Sequence, residues 1–373
     1  MIALLAAAVL SRPLILAHYM PWYQSKSVGG QWGWHWTMNH FNPDQPGSGG
    51  RQLLASKYRP RIGAYDSGDA AVLECQTLQM KTAGIDGVLI DWYGTKDLND
   101  YRQIHANTQK MIDACVRAGL KFAIVMEDQV VPQLVKAGKS TPDEFAASAV
   151  ASMKASWFGM SGYLKWNGKP VVMMFGPQYY KEAELNRHFG GDIAFFSLLG
   201  KKGPAVGAFG WPEPQVDNDK SWLQLQSFYA RAKEWKASVP VAYPRFDDIY
   251  KEAGVGPGYG EIRDDKGATF KRTLEMAEAS GAPFIQVATW NDWGEGTQIE
   301  PSLEFGYRDL EVIQAHRRKA DPAFPYKPSH LRLPDEIYES RKAHKNPLPL
   351  DIAVRQILDG KADEAADGLK GSR

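Results

Sequence analysis

The residues best suited to chemistry lie in one short stretch near the end of the chain. The segment FIQVATWNDWGEGTQIEPS, residues 284–302, passes directly from an apolar strand pattern into two indoles and three carboxylates. Asp292 and Glu295 are three positions apart on the turn that leaves the strand, so both side chains can face one cavity. Neighbouring carboxyl groups raise each other's pKa, and indoles exclude water from the more enclosed one. One acid can then stay protonated while the other is ionised, as glycoside hydrolysis requires.

These acids also have a structural interpretation. They could be charges of a surface loop, or Asp292 could cap the helix that follows. Asp91 and Glu127 end two other strand patterns and are candidate substrate contacts. Asp91 could instead make a structural hydrogen bond to a neighbouring loop. Glu127 could likewise have a structural role and no contact with a substrate. His18 is expected to be a packed, hydrogen-bonded histidine rather than a catalytic base.

A second aromatic group lies near the start of the chain. The segment WHW places Trp34 and Trp36 after Trp32, with glycines interleaved. Indole faces pack on the apolar C–H surface of sugars, so these rings could form a sugar platform on a lid. These tryptophans could instead be buried in the core, where they would anchor the long loop that carries them. The sequence favours the platform.

Other catalytic chemistries lack their signatures. The sequence contains no GxSxG elbow, no HExxH and no histidine-rich metal pattern, so we expect no cofactor and no metal site. A transferase that uses a nucleotide sugar ranks last, because a phosphate-binding loop and a DxD motif are missing. The glycine-rich segment GVGPGYG, residues 254–260, follows a Tyr/Asp-rich turn and is interpreted as a flexible loop after a strand.

Composition narrows the choice of partner. The 373 residues carry a formal net charge of +1. Because positive and negative charges are nearly balanced, we expect no net electrostatic attraction to nucleic acid or to an anionic membrane. No apolar run reaches the ~18 residues of a membrane span. The chain is rich in aromatic residues, with 12 Trp, 16 Tyr and 15 Phe. We expect most rings to pack the core and the others to bind an oligosaccharide or polysaccharide substrate, and we expect a monomer.

The elements that must position these residues alternate along the chain. Helical patterns lie between most of the apolar runs, and the first begins at Ser67 or Asp69 and stops at Gly84. Near-continuous apolar runs are typical of parallel strands buried on both faces. The alternation therefore favours a single (β/α)8 TIM-type barrel over an open doubly wound sheet. The strand-like runs are residues 14–23, 85–94, 121–128, 169–176, 193–199, 205–213, 239–247 and 284–293.

In such a barrel the active site lies at the carboxyl ends of the strands. The sequence places carboxylates and aromatic rings at most of these ends, so we expect them on one rim. They include His18, Tyr19, Trp22, Tyr23, Asp91, Trp92, Tyr93, Glu127, Trp211, Glu213, Tyr243, Trp290 and Asn291.

We expect three segments: a lead-in or signal remnant at 1–13, a catalytic barrel at 14–325 and a C-terminal helical extension at 326–373. The apolar start at 1–10 has no basic residue and is too short to span a bilayer. It is either the remnant of a secretory signal or the lead-in to the first strand, and a secreted or periplasmic location is favoured over a cytoplasmic one. The insertion at 24–66 has a length that is typical of a functional loop.

The motif WNDWGEGTQIEPS resembles the WNEWHEGTQIEP signature of glycoside hydrolase family 99, the retaining endo-acting α-mannosidases and mannanases. The segments HYMPWY, WHW with NHFNP, and YDSGDAAVLECQTLQMKTAGIDGVLIDWYG agree with it in order. The resemblance covers roughly residues 14–310 and implies a (β/α)8 barrel that cuts an internal α-mannosidic linkage with retention and without a metal.

The resemblance also implies roles for single residues. Asp292 would act on the sugar's own 2-hydroxyl to give a 1,2-anhydro intermediate, and Glu295 would be the general acid and then the general base. The implied sugar contacts at matching strand ends are Tyr19, Trp92, Tyr93 and Tyr243.

Two departures from the signature concern the reaction centre. Asp292 replaces a glutamate, which moves the carboxylate back by one methylene, and a misplacement of about 1 Å can cost about 100-fold in rate. Gly294 replaces a histidine, which is expected to open space beside the reaction centre. These departures leave a second hypothesis, a non-catalytic or weakly catalytic glycan-binding domain in polysaccharide processing or biosynthesis.

Overall fold

The computed structural model describes residues 12–215 and 218–370, so most of the lead-in expected at 1–13 lies outside the described residues. The core of the fold is a ring of parallel strands, and seven of the eight runs predicted from the sequence contain one of them, while the run 239–247 begins two residues after the start of its strand. The strands are β1 (Leu14–Tyr19), β2 (Gly87–Trp92), β3 (Lys121–Met126), β4 (Lys169–Met174), β5 (Ala194–Leu198), β6 (Gly207–Phe209), β7 (Ala237–Val239 and Val241–Ala242) and β8 (Phe284–Val287).

The ring closes through the divided strand β7. Its first part pairs with β6 and its second part pairs with β8, in both cases in parallel. Pro240 separates the two parts because it has no N–H to donate. Its carbonyl nevertheless accepts from the Gln286 amide at 2.9 Å, so the ladder continues past the interruption. The remaining pairs follow chain order, with β1 beside β8, and the (β/α)8 barrel predicted from the sequence is confirmed.

Helices surround the ring and begin where the sequence provides caps. Asp69 accepts from the Ala71 amide at the start of α3 (Ala70–Ala83), and Thr141 forms a capping box with Glu144 at the start of α6 (Pro142–Ser156). Gly84 ends α3 with a φ of 86°, a left-handed conformation that glycine adopts without strain. Residues 199–206 connect β5 to β6 without a helix.

The helices are α1 (Lys26–Gly29), α2 (Trp34–Thr37), α3 (Ala70–Ala83), α4 (Tyr101–Ala118), α5 (Val131–Lys136), α6 (Pro142–Ser156), α7 (Glu182–Phe189), α8 (Asn218–Ala232), α9 (Ala268–Ala279), α10 (Arg308–Ala320), α11 (Leu333–Lys342), α12 (Pro347–Leu358) and α13 (Ala362–Lys370). Short 3-10 turns lie at Ser48–Gly50, Asp128–Val130, Asp265–Gly267 and Pro328–Arg332.

The last three helices pack on the barrel through their own apolar cluster. Leu78 of α3 contacts this cluster, to which Ile337 of α11, Ile357 of α12 and Leu369 of α13 contribute. Apolar burial of this kind holds a helical extension without any covalent constraint. None of the helices that the structure describes is long and apolar enough to cross a membrane.

Two small antiparallel pairs lie outside the ring. Lys165–Trp166 pairs with the start of β4. Phe246–Asp247 pairs with Glu261–Ile262 to form a hairpin beyond the end of β7, which we call the outer hairpin. The outer hairpin lies at the same end of the barrel as the turn that follows β8, because it is hydrogen-bonded to that turn.

Candidate active site

The turn after β8, residues 289–297, holds the two candidate catalytic acids. Its base is closed by Thr289, whose amide donates to the Thr297 carbonyl at 3.0 Å. The hydroxyl of Thr289 accepts from the Asp292 amide at 2.8 Å, and Asp292 Oδ1 accepts from the Glu295 amide at 3.0 Å. Asp292 therefore caps a turn and not a helix, contrary to its structural interpretation, because residues 293–296 form a turn and the next helix begins only at Arg308. Its carboxyl group also lines the same cavity as that of Glu295.

The segment that follows β1 holds this turn in place through hydrogen bonds of Met20 and Tyr23. The Tyr23 hydroxyl donates to the Asn291 carbonyl at 3.0 Å and accepts from the Trp293 amide at 3.0 Å. The Asn291 side chain forms two hydrogen bonds with the main chain of Met20. Its Oδ1 accepts from the Met20 amide at 2.8 Å, and its Nδ2 donates to the Met20 carbonyl at 2.9 Å. Since each of these groups is buried, the ends of β1 and β8 form one rigid unit.

A buried acid lies beneath the turn, and it was not predicted from the sequence. Glu300 accepts from the Tyr65 hydroxyl at 2.8 Å, from Gln76 Nε2 at 2.7 Å and from the Trp293 indole at 3.2 Å. Burial raises the pKa of Glu300 to about 7, against the effect of these three donors. The network joins the turn after β8 to the long first loop, residues 24–66, and to α3.

The cavity beside the turn has a volume of about 260 Å³. Its carboxyl groups are those of Glu127, Asp292 and Glu295, and among the described residues that line it there is no lysine or arginine. The walls are otherwise largely aromatic, as expected for a site that binds an uncharged, partly apolar ligand. The aromatic residues include Trp22, Tyr23, Trp34, Tyr93, Trp211 and Tyr250.

The two acids differ in proton affinity. Burial raises the pKa of Asp292 to about 6, while the Glu295 and Gly294 amides oppose the rise by stabilising its charged form. Burial raises the pKa of Glu295 well above its usual range, and the charges of Asp292 and Asp248 raise it further. Asp292 therefore loses its proton at a lower pH than Glu295 does.

A second acid pair adjoins the first. Burial raises the pKa of Glu127 to about 8, although its hydrogen bond from Gln129 acts in the opposite direction. The pKa of Asp91 is raised well above its usual range by burial, and then by the charges of Glu127 and Asp292. Glu127 lines the cavity, whereas Asp91 does not. At a given pH, these four acids therefore hold more protons than carboxyl groups in water would.

His18 is neutral and held in one tautomer. Burial lowers its pKa to about 4. Gln286 donates from Nε2 to the Gly210 carbonyl at 2.9 Å, so its Oε1 is the acceptor that faces His18 Nδ1 at 3.3 Å. The Nδ1 atom therefore carries the hydrogen, and the packed histidine expected from the sequence is what the structure contains. Its ring also packs edge-on against Trp211 at 4.8 Å.

Four residues of the predicted rim line the cavity, namely His18, Trp22, Tyr23 and Trp211. The structure also brings five of the predicted catalytic and substrate-binding residues to it. They come from the first loop, from the ends of β2 and β3, and from the turn after β8. These residues are Trp34, Tyr93, Glu127, Asp292 and Glu295.

The other predicted residues are at most 1% exposed and do not line the cavity. Tyr19 faces α3, where its hydroxyl donates to Gln76 Oε1 at 2.8 Å, and the Trp92 indole faces His105 of α4 at 3.1 Å. Successive side chains of a strand point to opposite faces, so these two strand-end residues face the helices and not the rim. The predicted residues that do not line the cavity are Tyr19, Trp36, Asp91, Trp92, Tyr243, Trp290 and Asn291.

The WHW segment divides between the two interpretations that the sequence left open. Trp34 is 41% exposed and lines the cavity, as a platform would. Trp36 is fully buried, and its indole donates to the Tyr65 carbonyl at 2.7 Å, so it anchors the loop to the core. The two side chains diverge because they lie two positions apart on the single helical turn of α2.

The space expected beside Gly294 is occupied. A Cβ atom built on Gly294 would lie 3.0 Å from the terminal methyl of Met38 and 3.7 Å from the Tyr250 ring. Met38 belongs to the long first loop, which therefore closes against the catalytic turn. Glycine at 294 allows this close approach of the loop and does not open the reaction centre.

Several residues of the cavity were missed because they lie in the loops beyond the strand ends and not at the strand ends themselves. Tyr250 and Tyr259 come from the loop of the outer hairpin, and Gln178 comes from the segment after β4. The two tyrosines are the only signal in the sequence, since exposed aromatic residues in a glycine-rich loop suggest a binding surface. Among the residues that the structure describes, no group of three or more His, Cys, Asp or Glu side chains is arranged to hold a metal ion.

No protein-family model matches the chain. The chain is 21% identical to the glycoprotein endo-α-1,2-mannosidase of Rattus norvegicus over 331 residues, which cover 77% of this chain and 67% of the relative. It is 22% identical to the enzyme of the same name from Mus musculus over 380 residues, which cover 90% of this chain and 76% of the relative.

Solved structures share the fold. The family 99 endo-α-mannosidase of Bacteroides thetaiotaomicron matches with a TM-score of 0.62 and 20% identity, over 83% of this chain and 98% of that one. The same enzyme in complex with bis-tris-propane matches with a TM-score of 0.61 and 18% identity, over 89% of this chain and 98% of that one. The likeness to family 99 that the WNDWGEGTQIEPS motif predicted is confirmed.

Proposed function

We propose that this chain, whose domain resembles the family 99 endo-α-mannosidases, is a retaining, metal-independent glycoside hydrolase that cleaves internal α-mannosidic or related linkages. Its relatives are named for action on α-mannosidic linkages. The observation that carries the proposal is one aromatic-walled cavity that holds two carboxyl groups of different proton affinity. A positioned acid and a positioned base of this kind are what glycosidic cleavage needs.

In the first step the ionised Asp292 takes the proton of the sugar's 2-hydroxyl while that oxygen attacks the anomeric carbon. The bond to the leaving oxygen breaks, and Glu295 gives its proton to that oxygen. Burial supports the role of Glu295, because a raised pKa keeps a carboxyl group protonated at neutral pH. The product of this step is a 1,2-anhydro sugar.

In the second step water attacks the anomeric carbon on the face that the leaving group has vacated. Glu295, now ionised, takes a proton from the water. The bond between the 2-oxygen and the anomeric carbon breaks, and the oxygen recovers its proton from Asp292. Two inversions give net retention, and both acids return to their starting protonation states.

The test is a pair of isosteric substitutions. Asp292→Asn and Glu295→Gln remove one proton-transfer group each and keep the size of the side chain, so each is expected to lower hydrolysis of α-mannan oligosaccharides by at least about 100-fold. Product analysis by NMR reports the linkage cut and the anomer released. Glu213→Gln is the matched control, because Glu213 is a half-buried rim acid that does not line the cavity. Full activity in either catalytic variant, with an unchanged melting temperature, overturns the assignment.

A second candidate function is glycan binding with little or no turnover. It is favoured by the position of Asp292, whose shorter side chain is also engaged by the Glu295 amide at 3.0 Å. Calorimetry separates the two candidates. Tight binding of an oligosaccharide, together with no product from a broad glycan panel, would show that the function is glycan binding and not hydrolysis.

A further inference from the structure

We propose that the buried carboxylate of Glu300 positions the two catalytic acids by holding the residues on either side of Asp292. This inference rests on the proposed hydrolase function. Asp292, Trp293 and Glu295 lie on the turn after β8, which we call the catalytic turn. Glu300 does not line the cavity and takes no part in the proposed proton transfers, so it is a positioning residue and not a catalytic one.

One contact of Glu300 reaches the residue after Asp292. The Trp293 indole is fully buried and donates to Glu300 Oε2 at 3.2 Å. The Trp293 amide donates to the Tyr23 hydroxyl at 3.0 Å, so both the ring and the main chain of this residue are held. Because the main chain of Trp293 runs between Asp292 and Glu295, a shift of its ring changes the separation of the two acids.

A second contact reaches the residue before Asp292. The Tyr65 hydroxyl donates to Glu300 Oε2 at 2.8 Å and accepts from Asn291 Nδ2 at 3.0 Å. One carboxylate oxygen therefore binds Trp293 directly and orients Asn291 through a tyrosine. Both neighbours of the residue that takes the proton of the sugar's 2-hydroxyl are held in this way.

The hydrogen-bonding groups around Glu300 suit its ionised form. The side chains bonded to it all donate, namely the Tyr65 hydroxyl, the Trp293 indole and Gln76 Nε2, which donates to Oε1 at 2.7 Å. An indole or amide N–H cannot accept, so a proton on either carboxyl oxygen would oppose one of these donors. Protonation of Glu300 would therefore weaken its hold on the catalytic turn.

The stability of the fold does not explain a carboxylate at this position. Its three donors are uncharged, and burial raises the pKa of Glu300 to about 7 in spite of them. When the pKa of an acid is raised on folding, its ionisation destabilises the folded state, here as pH rises from about 4.5 to about 7.

A glutamine at position 300 would avoid this cost. The Gln76 side chain can turn over, so that its Oε1 accepts from the new amide and its Nε2 faces the Tyr19 hydroxyl, which now donates to Gln76 at 2.8 Å. The charge of Glu300 is therefore explained by the catalytic turn and not by the stability of the fold.

The other described titratable groups that interact with Glu300 come from the end of β1 and the segment after it, from the first loop, from α3 and from α11. They are Tyr19, Tyr23, Tyr65, Cys75, Asp335 and Tyr338. Burial raises the pKa of each of these tyrosines and of the cysteine, so they stay neutral. Glu300 is therefore the group among them whose charge changes near pH 7.

The first test is Glu300→Gln, which keeps the size of the side chain and removes its charge. At about pH 8, where Glu300 is ionised, kcat on α-mannan oligosaccharides is expected to fall at least about tenfold, because the catalytic acids lose their alignment. KM should stay within about threefold, since the walls of the cavity are unchanged. The melting temperature should not fall, because the variant removes a buried charge that destabilises the fold.

A purely structural role of Glu300 would give a different result. An unchanged kcat, or a loss of kcat that comes with a lower melting temperature, overturns the proposal. Glu311→Gln is the matched control, because it makes the same chemical change at an exposed position of α10 and should alter neither quantity.

A double-mutant cycle tests the route through Trp293. Trp293→Phe removes the indole donor and keeps a buried ring. If Glu300 acts through this indole, the variant with both changes loses less activity than the product of the two single losses. Losses that multiply in full mean that the two residues act independently, and they overturn the proposal.

A signal that needs no turnover separates this proposal from the hydrolase function. In protein with isotope-labelled tryptophan, the indole N–H resonance of Trp293 is identified by its loss in Trp293→Phe. It should shift as pH passes through about 7 in the unmodified protein and not in Glu300→Gln. If the unmodified protein hydrolyses glycans but this resonance does not titrate, the positioning role fails alone. If the protein hydrolyses no glycan although the resonance titrates, the hydrolase function fails and the positioning role fails with it.

Discussion

At the scale of single residues, the position of Asp292 decides how the catalytic turn works. Its carboxylate both caps the turn, by accepting from the Glu295 amide at 3.0 Å, and lines the cavity. A glutamate at this position would extend the carboxylate by one methylene. The longer glutamate side chain could not accept from the Glu295 amide in the same way unless the turn moved. The conformation of this turn therefore depends on aspartate at position 292.

Asp292→Glu is therefore expected to lower kcat for α-mannan oligosaccharides and not to restore a more active enzyme. A displacement of the reacting carboxylate by about 1 Å can cost about 100-fold. The measurement is kcat on one oligosaccharide, with the melting temperature as a check on folding. A rate above that of the unmodified protein would contradict this prediction and would mean that aspartate at position 292 lowers the rate of hydrolysis.

The pH dependence follows from the same two acids. As pH falls through about 6, Asp292 takes up a proton and can no longer accept one from the 2-hydroxyl, so kcat/KM falls. As pH rises, Glu295 loses the proton that the leaving oxygen needs, and activity falls again. The alkaline limb should lie well above the ordinary range of a glutamate, because burial raises the pKa of Glu295.

The charge of Glu127 also raises the pKa of Glu295, so its removal gives a specific test. Glu127→Gln should move the alkaline limb of the kcat/KM profile to lower pH, whatever it does to the maximal rate. The profile is measured on both proteins with the same substrate and ionic strength. If the alkaline limb does not move, the charge of Glu127 does not affect the pKa of Glu295 and this prediction is wrong.

At the scale of elements, the C-terminal helices depend on apolar contact with the barrel. Ile357 of α12 is fully buried in the cluster that includes Leu78 of α3, whereas Ile352 of the same helix is 45% exposed. Ile357→Ala is expected to lower the free energy of unfolding by about 2–5 kcal/mol, because it removes buried methyl groups and leaves a cavity.

The matched control is Ile352→Ala, which makes the same chemical change on the same helix and is expected to cost less than about 0.5 kcal/mol. Urea unfolding at neutral pH measures both. Equal values for the two variants would show that α12 is not held by this cluster. Hydrolysis by the folded Ile357→Ala protein should be unchanged, since α12 does not contribute to the catalytic cavity.

At the scale of the whole molecule, the barrel brings distant parts of the sequence to one rim. Trp34 and Glu295 are separated by more than half of the chain and Glu127 lies between them in sequence, yet all three line one cavity. The ring closes at Pro240, where a carbonyl still accepts from Gln286 although the proline cannot donate. Closure gives the rim a fixed circumference, so that every strand end has a fixed distance to the catalytic turn.

The sequence by itself determined the elements and the chemistry of the rim. Apolar runs and capping residues such as Asp69 are local signals, so they predicted the strands, several helix ends and the barrel. The motif around Asp292 and Glu295 predicted the acid pair and the likeness to family 99. Within the described residues, these features depend on neighbours in the chain, and that is why sequence reasoning reached them.

Only the tertiary structure decided which side chains face the cavity. Tyr19 and Trp92 lie at strand ends but point to the helices, because strand side chains alternate between two faces and their phase at a rim depends on barrel geometry. Tyr259 reaches the site from a loop tied by Asp248. The proton affinities of Asp292 and Glu295 likewise depend on burial, and burial is a property of the packed molecule that no local pattern contains.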